Sequence, residues 1–385
     1  MDDNSAPRVS REFGRKAVTF TASLCAVTAS IWMSNWTTQV SHNLAIRIAL
    51  WLLKTCTIVY TAITVRGLYV WKRGLRRLVK DPCAKYIELE SARTVEYFTY
   101  GSVRDDAAIV VALHGSGTTG KYFNQYWLPE DALKRLNCRV ISPSYPGHGG
   151  TDMQPNRRII EWPLTDLIPI LEKEKVEEKF FVVGASYGTS HGMSVASALP
   201  ERVLGLGLVA PYLPETICRE AGLWTDADMI LRESQLGNPA ILLPILGMFF
   251  LADWFIGVGI KHGYAEGKEI ATRHQDLCNV LIEDAHRSFM RGANGQVFEM
   301  LNAETTQTWP DPRKLRIDNI AVRYALDDTI VPPEHGAWLE KNLALEGRKL
   351  SVRKDKIGLG HFTWFVDECR KEADIVKTLM ENARR

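Results

Sequence analysis

Hydrophobic positions along the chain fall into distinct regimes. Two long apolar stretches, residues 17–33 and 44–65, come first, separated by a polar but uncharged interval. From about residue 86 to 210, short apolar runs alternate with amphipathic segments and glycine-rich loops. That rhythm stops between 211 and 312 and returns from 320 to 354.

The middle regime predicts a sheet. Residues 86–90 and 94–100 alternate in polarity and suit two strands joined by a short turn. Ala107 to Leu113 is continuously apolar, the pattern of a strand covered on both faces. A helix over 121–136, a strand over 138–142, a helix around 158–173 and a strand from Phe180 to Ala185 follow, with another strand over 202–210. Such β-α-β-α-β order predicts a parallel sheet with right-handed crossovers, whose ligands bind beyond the carboxyl ends of the strands. The last regime adds a strand at 320–326, a helix from about 334 to 345, a strand at 349–354 and a C-terminal helix.

The strandless interval reads as an inserted helical cap. Within it, residues 238–260 are apolar save for Asp253. A single membrane crossing there would put the flanking strands on opposite sides of the bilayer, and the sheet could not close. The expectation is therefore cap helices that are buried, line an acyl channel or dip into a membrane surface. Four segments result: an N-terminal region at 1–80, the first part of a core at 81–212, a cap at 213–312 and the second part of the core at 313–385, with Pro82 at the first boundary.

Charge separates the N-terminal region from the rest. The net charge is only +2, yet from Phe13 to Lys80 there are ten basic residues and no acidic one, whereas from Asp81 onward 35 basic residues face 42 acidic ones. Basic residues interleaved with apolar ones favour anionic lipid over nucleic acid. The 17–33 stretch is only moderately apolar and is a marginal span by length. The 44–65 stretch contains Arg47 and Lys54, which share one helical stripe, so this helix either lies in the interface or turns that stripe toward the first. Tyr69 and Trp71 suit a headgroup belt. The expectation is a membrane anchor of one or two hydrophobic helices, with the catalytic part on the cytosolic side. The rival is a mitochondrial presequence, supported by Arg8, Arg11 and Arg15 and opposed by Asp2, Asp3 and Glu12. Asn35-Trp36-Thr37 matches a glycosylation acceptor, but its place beside the bilayer argues for coincidence.

Candidate chemistry sits where strands end. Gly184-Ala185-Ser186-Tyr187-Gly188 closes an apolar strand and opens a helix, the form of a nucleophile elbow. Small residues two before and two after the serine are needed because the turn is sharp, and Ser186 is the candidate nucleophile. The strand ending at Leu113 runs into His114-Gly115-Ser116-Gly117, where backbone N–H groups could stabilise an oxyanion. A third loop, Pro146-Gly147-His148-Gly149, again follows a strand, and Asp327-Asp328 and His361 follow the last two.

These motifs, in this order, resemble the α/β-hydrolase superfamily, specifically its capped esterases and lipases, over roughly residues 85–385. The resemblance implies a mostly parallel, doubly wound α/β sheet and a serine hydrolase in which Ser186 attacks, His361 moves the proton and Asp328 orients the imidazole. Asp328 fits better than Asp327, since the family places two residues between its aspartate and a Val-Pro pair, here Thr329 and Ile330 before Val331. The oxyanion donors implied are the N–H groups of Tyr187 and Ser116, with Gly117 as the alternative. His114, Gly115, Gly117 and His148 are grouped as substrate-contacting, although His148 and Asp152 also suit a loop-shaping role. His191 reads as a packed helix histidine, and His335 as a helix cap or a solvent-facing residue.

The function implied is membrane-associated cleavage of carboxylic esters of lipids or other apolar acyl compounds. An acyltransferase using the same acyl-enzyme is the near alternative, and a non-catalytic scaffold the distant one. Serine at the elbow, where epoxide hydrolases and haloalkane dehalogenases carry aspartate, argues against those reactions. The seven cysteines are scattered without a C-x-x-C pair, so neither a disulfide framework nor a zinc site is indicated. No metal, nucleotide or other cofactor and no nucleic-acid partner is expected, and oligomeric state has no signature.

Overall fold

A computed structural model describes residues 81–154, 158–213, 215–223, 266–289, 295, 309–344 and 347–385, together with 44–49, 51–56 and 58–59. The chain separates into two compact units, Ala6–Val79 and Lys80–Arg385 with Met1–Ser5.

In the larger unit eight strands form one sheet: β1 (Lys85–Glu88), β2 (Thr94–Gly101), β3 (Ala108–Leu113), β4 (Cys138–Pro143), β5 (Phe180–Ala185), β6 (Val203–Val209), β7 (Asn319–Ala325) and β8 (Lys349–Asp355). Their order is β1-β2-β4-β3-β5-β6-β7-β8. The first two pair antiparallel, and the six from β4 to β8 are parallel. Successive residues of the central strands bury opposite sides: Val111, Leu113 and Val182 pack in one core layer, Val110, Ala112 and Val183 in the other. That two-sided burial explains why these strands are continuously apolar and not alternating.

Among the described residues of this unit, ten short helices surround the sheet: α1 (Tyr122–Trp127), α2 (Glu130–Arg135), α3 (Ile168–Lys173), α4 (Gly188–Ala198), α5 (Glu215–Ala221), α6 (Gly267–Arg273), α7 (Gln275–Ser288), α8 (Pro333–Leu343), α9 (Asp367–Lys371) and α10 (Asp374–Arg384). Residues of α3, α4 and α8 fill one layer; those of α1, α2, α7 and α10 fill the other. The chain winds from β3 to β4 on one side, then crosses to β5 on the other. The crevice at the carboxyl ends of β3 and β5 is therefore the switch point, where open α/β sheets bind ligands.

Two helices differ from expectation. The helix expected over 121–136 is two, because Pro129 stands at the N-cap of α2 and cannot donate to the preceding turn. The helix expected over 158–173 begins as a π-turn, Pro163–Leu167, before α3. Residues 238–260 lie outside the described residues.

Of the expected cap, α7 is bound closely to the sheet. Asp284 is fully buried and accepts hydrogen bonds from the Thr119 N–H (3.2 Å), the Thr119 hydroxyl and the Phe123 N–H (2.9 Å), so it closes the start of α1. Three residues on, Arg287 donates to Glu96 (2.5 Å) and Asp81 (2.6 Å) and covers the Phe98 ring at 5.0 Å. Burial pushes the Asp284 carboxyl up from 3.8 to about 6, despite its N–H donors and the nearby Arg287. An acid with a raised pKa binds its proton more tightly in the folded state than in the unfolded one. Its stabilising contribution is therefore full below about pH 4 and is lost as pH rises through about 6, a change of roughly 3 kcal/mol. Urea midpoints measured from pH 4 to 7 should show native stability falling, relative to Asp284→Asn, across that window and level above it.

In the smaller unit the described residues, 44–49, 51–56 and 58–59, are helical. Leu44, Trp51 and Ile58 are exposed, and the Thr55 hydroxyl donates back to the Trp51 carbonyl at 3.0 Å. Among the described residues no helix is long and apolar enough to cross a membrane. The described helical residues of the 44–65 stretch carry Arg47 and Lys54, and residues 50, 57 and 60–65 of the expected span lie outside the described residues. The 17–33 stretch and the aromatic pair at 69 and 71 lie outside the described residues.

Candidate active site

Ser186 joins β5 to α4 with φ at +54°, a left-handed conformation that a residue with a Cβ adopts only when its surroundings enforce it. The surroundings are tight. A Cβ on Gly184 would collide with the Gly188 carbonyl, and one on Gly188 would come within 2.6 Å of the His114 carbonyl. Hydrogen bonds hold the turn: the Ser186 N–H donates to the Val209 carbonyl (2.8 Å), and the Ser186 carbonyl accepts from the Thr189 N–H (2.9 Å) and hydroxyl (2.6 Å). From Phe180 to Ala196, every residue except Ser186 is buried. The elbow presents this one side chain and hides its neighbours.

The His114–Gly117 loop lies against it, with Gly115 packed beside Ser186: a Cβ on Gly115 would sit 3.5 Å from the Ser186 Cβ. His114 shapes that loop from beneath. Its Nε2 accepts from the Tyr145 N–H at 3.1 Å, so its proton is on Nδ1, which donates to the Gly115 carbonyl at 2.8 Å. The Thr118 hydroxyl donates to the same carbonyl at 2.8 Å. Ser116 is exposed and Gly117 half-buried with φ +73°.

Asp328 and His361 meet on the same edge of the sheet. Asp328 Oδ2 accepts from His361 Nδ1 at 2.8 Å, while Oδ1 accepts the N–H groups of Ile330 (2.9 Å) and Val331 (2.8 Å). With Nδ1 so engaged, Nε2 is the nitrogen left to take a proton. Asp327 turns elsewhere, its Oδ2 accepting the Gly358 N–H at 2.8 Å. His361 lies in a buried 3-10 turn, Gly360–Phe365, wedged against α1 by Phe365, whose ring meets Phe123 at 4.9 Å and Trp127 at 5.6 Å. Among the described residues, no hydrogen bond links Ser186 to His361; such bonds are often long in unliganded enzymes and tighten when substrate binds.

The other histidines singled out in the sequence, His114, His148, His191 and His335, are buried. His114, Tyr145 and His191 stack at 3.9 and 3.7 Å between ring centres, with Trp162 edge-on to Tyr145. His148 is buried and its Nδ1 meets the Ser288 hydroxyl at 2.7 Å, tying the glycine-rich loop to α7. Asp152 accepts the Thr94 N–H at 2.7 Å, a loop-shaping contact. His335, expected as a cap or at the surface, is buried 3.6 Å from Cys218 Sγ. Its Nδ1 accepts the Leu213 N–H, so Nε2 carries the proton and cannot deprotonate the thiol; this pair is structural.

Sequence reasoning missed Glu266, Asp284 and Arg287. Nothing in the local pattern marks them, and the partners of Asp284 and Arg287 lie more than 150 residues away along the chain. Among the described residues, no group of three or more His, Cys, Asp and Glu side chains is arranged to hold a metal.

Residues 110–372 match the sequence profile of the Alpha/beta hydrolase family. No curated protein matches the chain in sequence. Among solved structures, the fold is similar to a hydrolase from Pseudomonas aeruginosa, at 15% identity and a TM-score of 0.54 over 78% of this chain and 99% of that one. It is also similar to an acetylester hydrolase from Corynebacterium glutamicum, at 16% identity and TM-score 0.55 over 78% of this chain and 94% of that one. A thermophilic esterase from Thermogutta terrifontis, 16% identical, gives a TM-score of 0.52 over 78% of this chain and 98% of that one.

Proposed function

Because the chain belongs to the Alpha/beta hydrolase family, we propose that it is a serine hydrolase of carboxylic esters. The observation that carries this reading is the hydrogen bond of 2.8 Å between Asp328 and His361, on the sheet edge where Ser186 stands alone in a left-handed turn. In the proposed reaction His361 Nε2 takes the Ser186 proton as Oγ adds to the acyl carbonyl, and the N–H groups of Tyr187 and Ser116 hold the oxyanion at the start of α4. His361 then protonates the leaving alcohol. Water, activated by the same imidazole, releases the acid and restores the serine. Asp328 keeps the imidazole in the tautomer that both steps require.

The substrate proposed is an ester with a long apolar acyl chain, met at a membrane surface. Support comes from the exposed apolar side chains of Leu44, Trp51 and Ile58 within a region whose charged residues from Phe13 to Lys80 are all basic, and from the apolar stretch inside the 213–312 segment, proposed as the cap. The proposed location is a membrane, with the catalytic unit on its cytosolic face.

Two measurements test this. Hydrolysis of p-nitrophenyl esters from acetate to dodecanoate should give kcat/KM rising with chain length; a profile falling beyond acetate would remove the apolar-acyl part. Sedimentation with phosphatidylserine vesicles should exceed that with neutral vesicles and weaken with salt; equal recovery in the supernatant of both would remove the membrane part.

A further inference from the structure

The side chain of Glu266 sits between the loops that carry Asp328 and His361. Glu266 precedes α6 and is only 6% exposed. Its Oε1 accepts from the Thr329 hydroxyl at 3.3 Å, one residue beyond Asp328. The same oxygen lies directly over the Cα of Gly360, one residue before His361: a Cβ at Gly360 would overlap it and would stand 3.0 Å from the Asp327 carbonyl. Consecutive Cα atoms are about 3.8 Å apart, so this oxygen is within about 7 Å of the His361 Cα. Oε2 is buried and makes no hydrogen bond among the described residues.

This is a costly place for a carboxylate. Packing alone would be served better by an apolar side chain of the same size, because a buried acid supported by a single hydroxyl loses more hydration than it recovers. The group touches both loops of the acid–base pair, and Gly360, at φ +45°, has the one side chain that leaves it room. We propose that Glu266 is a positioning residue. Its side chain sets the Gly360–His361 turn against the Asp328 loop and so holds the imidazole on its carboxylate.

The inference rests on the Ser186–His361–Asp328 reading, and the experiment separates the two. Ester hydrolysis is measured on the full chain and on Ser186→Ala, Glu266→Ala, Glu266→Gln, Gly360→Ala and the Glu266→Ala/Gly360→Ala double variant. Glu266→Ala should lower kcat about 10- to 100-fold with KM within about twofold, the size of effect that follows a misplaced catalytic group. Glu266→Gln keeps the shape and the acceptor for Thr329, and should restore kcat to within about threefold of native. Gly360→Ala alone should lower kcat, and should cost less in the Glu266→Ala background, where the space is vacated. Native kcat in Glu266→Ala, failure of glutamine to restore it, or equal cost of Gly360→Ala in both backgrounds would overturn the proposal. If Glu266→Ala does not fold, native kcat in Gly360→Ala overturns it alone. Absence of Ser186-dependent hydrolysis in the native chain would instead remove the functional reading itself.

Discussion

Replacing Ser186 with alanine is expected to lower kcat/KM for ester hydrolysis by about 10⁴- to 10⁶-fold, the loss seen when the nucleophile of a serine triad is removed. Stability should hardly change. Among the described residues the Ser186 hydroxyl makes no hydrogen bond, and the turn is held by the backbone bonds to Val209 and Thr189, which alanine keeps. The same geometry makes a sharper statement about glycine. At φ +54° a Cβ is strained by about 1 kcal/mol, so Ser186→Gly should unfold at higher urea than native while being equally inactive. A gain in stability coupled to loss of activity would show that the fold maintains this strain for the sake of the hydroxyl. If Ser186→Ala retained most of its activity while folded, another nucleophile would have to be found.

The largest effect on stability is expected at Arg287. Arg287 and Glu96 have side chains 4% and 0% exposed, and Asp81 and Lys121 complete the network. Burial alone would weaken the guanidinium's hold on its proton, but Glu96 and Asp81 more than offset it, raising the pKa above the ordinary arginine range. Truncation to alanine leaves Glu96 buried without its counter-charge and strips the cover from Phe98. Breaking such a pair from one side costs about 3–5 kcal/mol, a large share of a typical domain's stability. Urea denaturation of Arg287→Ala should show that loss at unchanged m-value. Arg287→Met/Glu96→Gln, which removes both charges, should recover much of it. A loss below about 1 kcal/mol in the single variant would mean that water reaches Glu96 and that α7 is not anchored by this network. The consequence reaches the site, because the next residue, Ser288, holds His148.

Local patterns carried most of the fold. Continuous apolar runs marked β3 and β5 because helices cover both faces, and the glycine-flanked serine marked the elbow because a Cβ at 184 or 188 has no room. Of the two adjacent aspartates, Asp328 meets His361 and Asp327 accepts the Gly358 N–H, a difference in partner that the sequence alone does not display. What stayed hidden depends on distance along the chain. Asp284 closes a helix 161 residues away and Arg287 pairs with a strand 191 residues away, relations with no periodicity to betray them. His335 looked free because it follows two prolines; its burial comes from α8 lying on β7, where Gly336 packs against Tyr324.

The central claim is that Ser186 is an activated nucleophile, and labelling with a fluorophosphonate tests it most directly. The native chain, digested and analysed by mass spectrometry, should carry the phosphonyl group on the peptide containing Ser186. His361→Ala should be labelled far more slowly, because the proton acceptor is gone. A folded native chain that takes up no label, or takes it up on a different serine, would contradict the account.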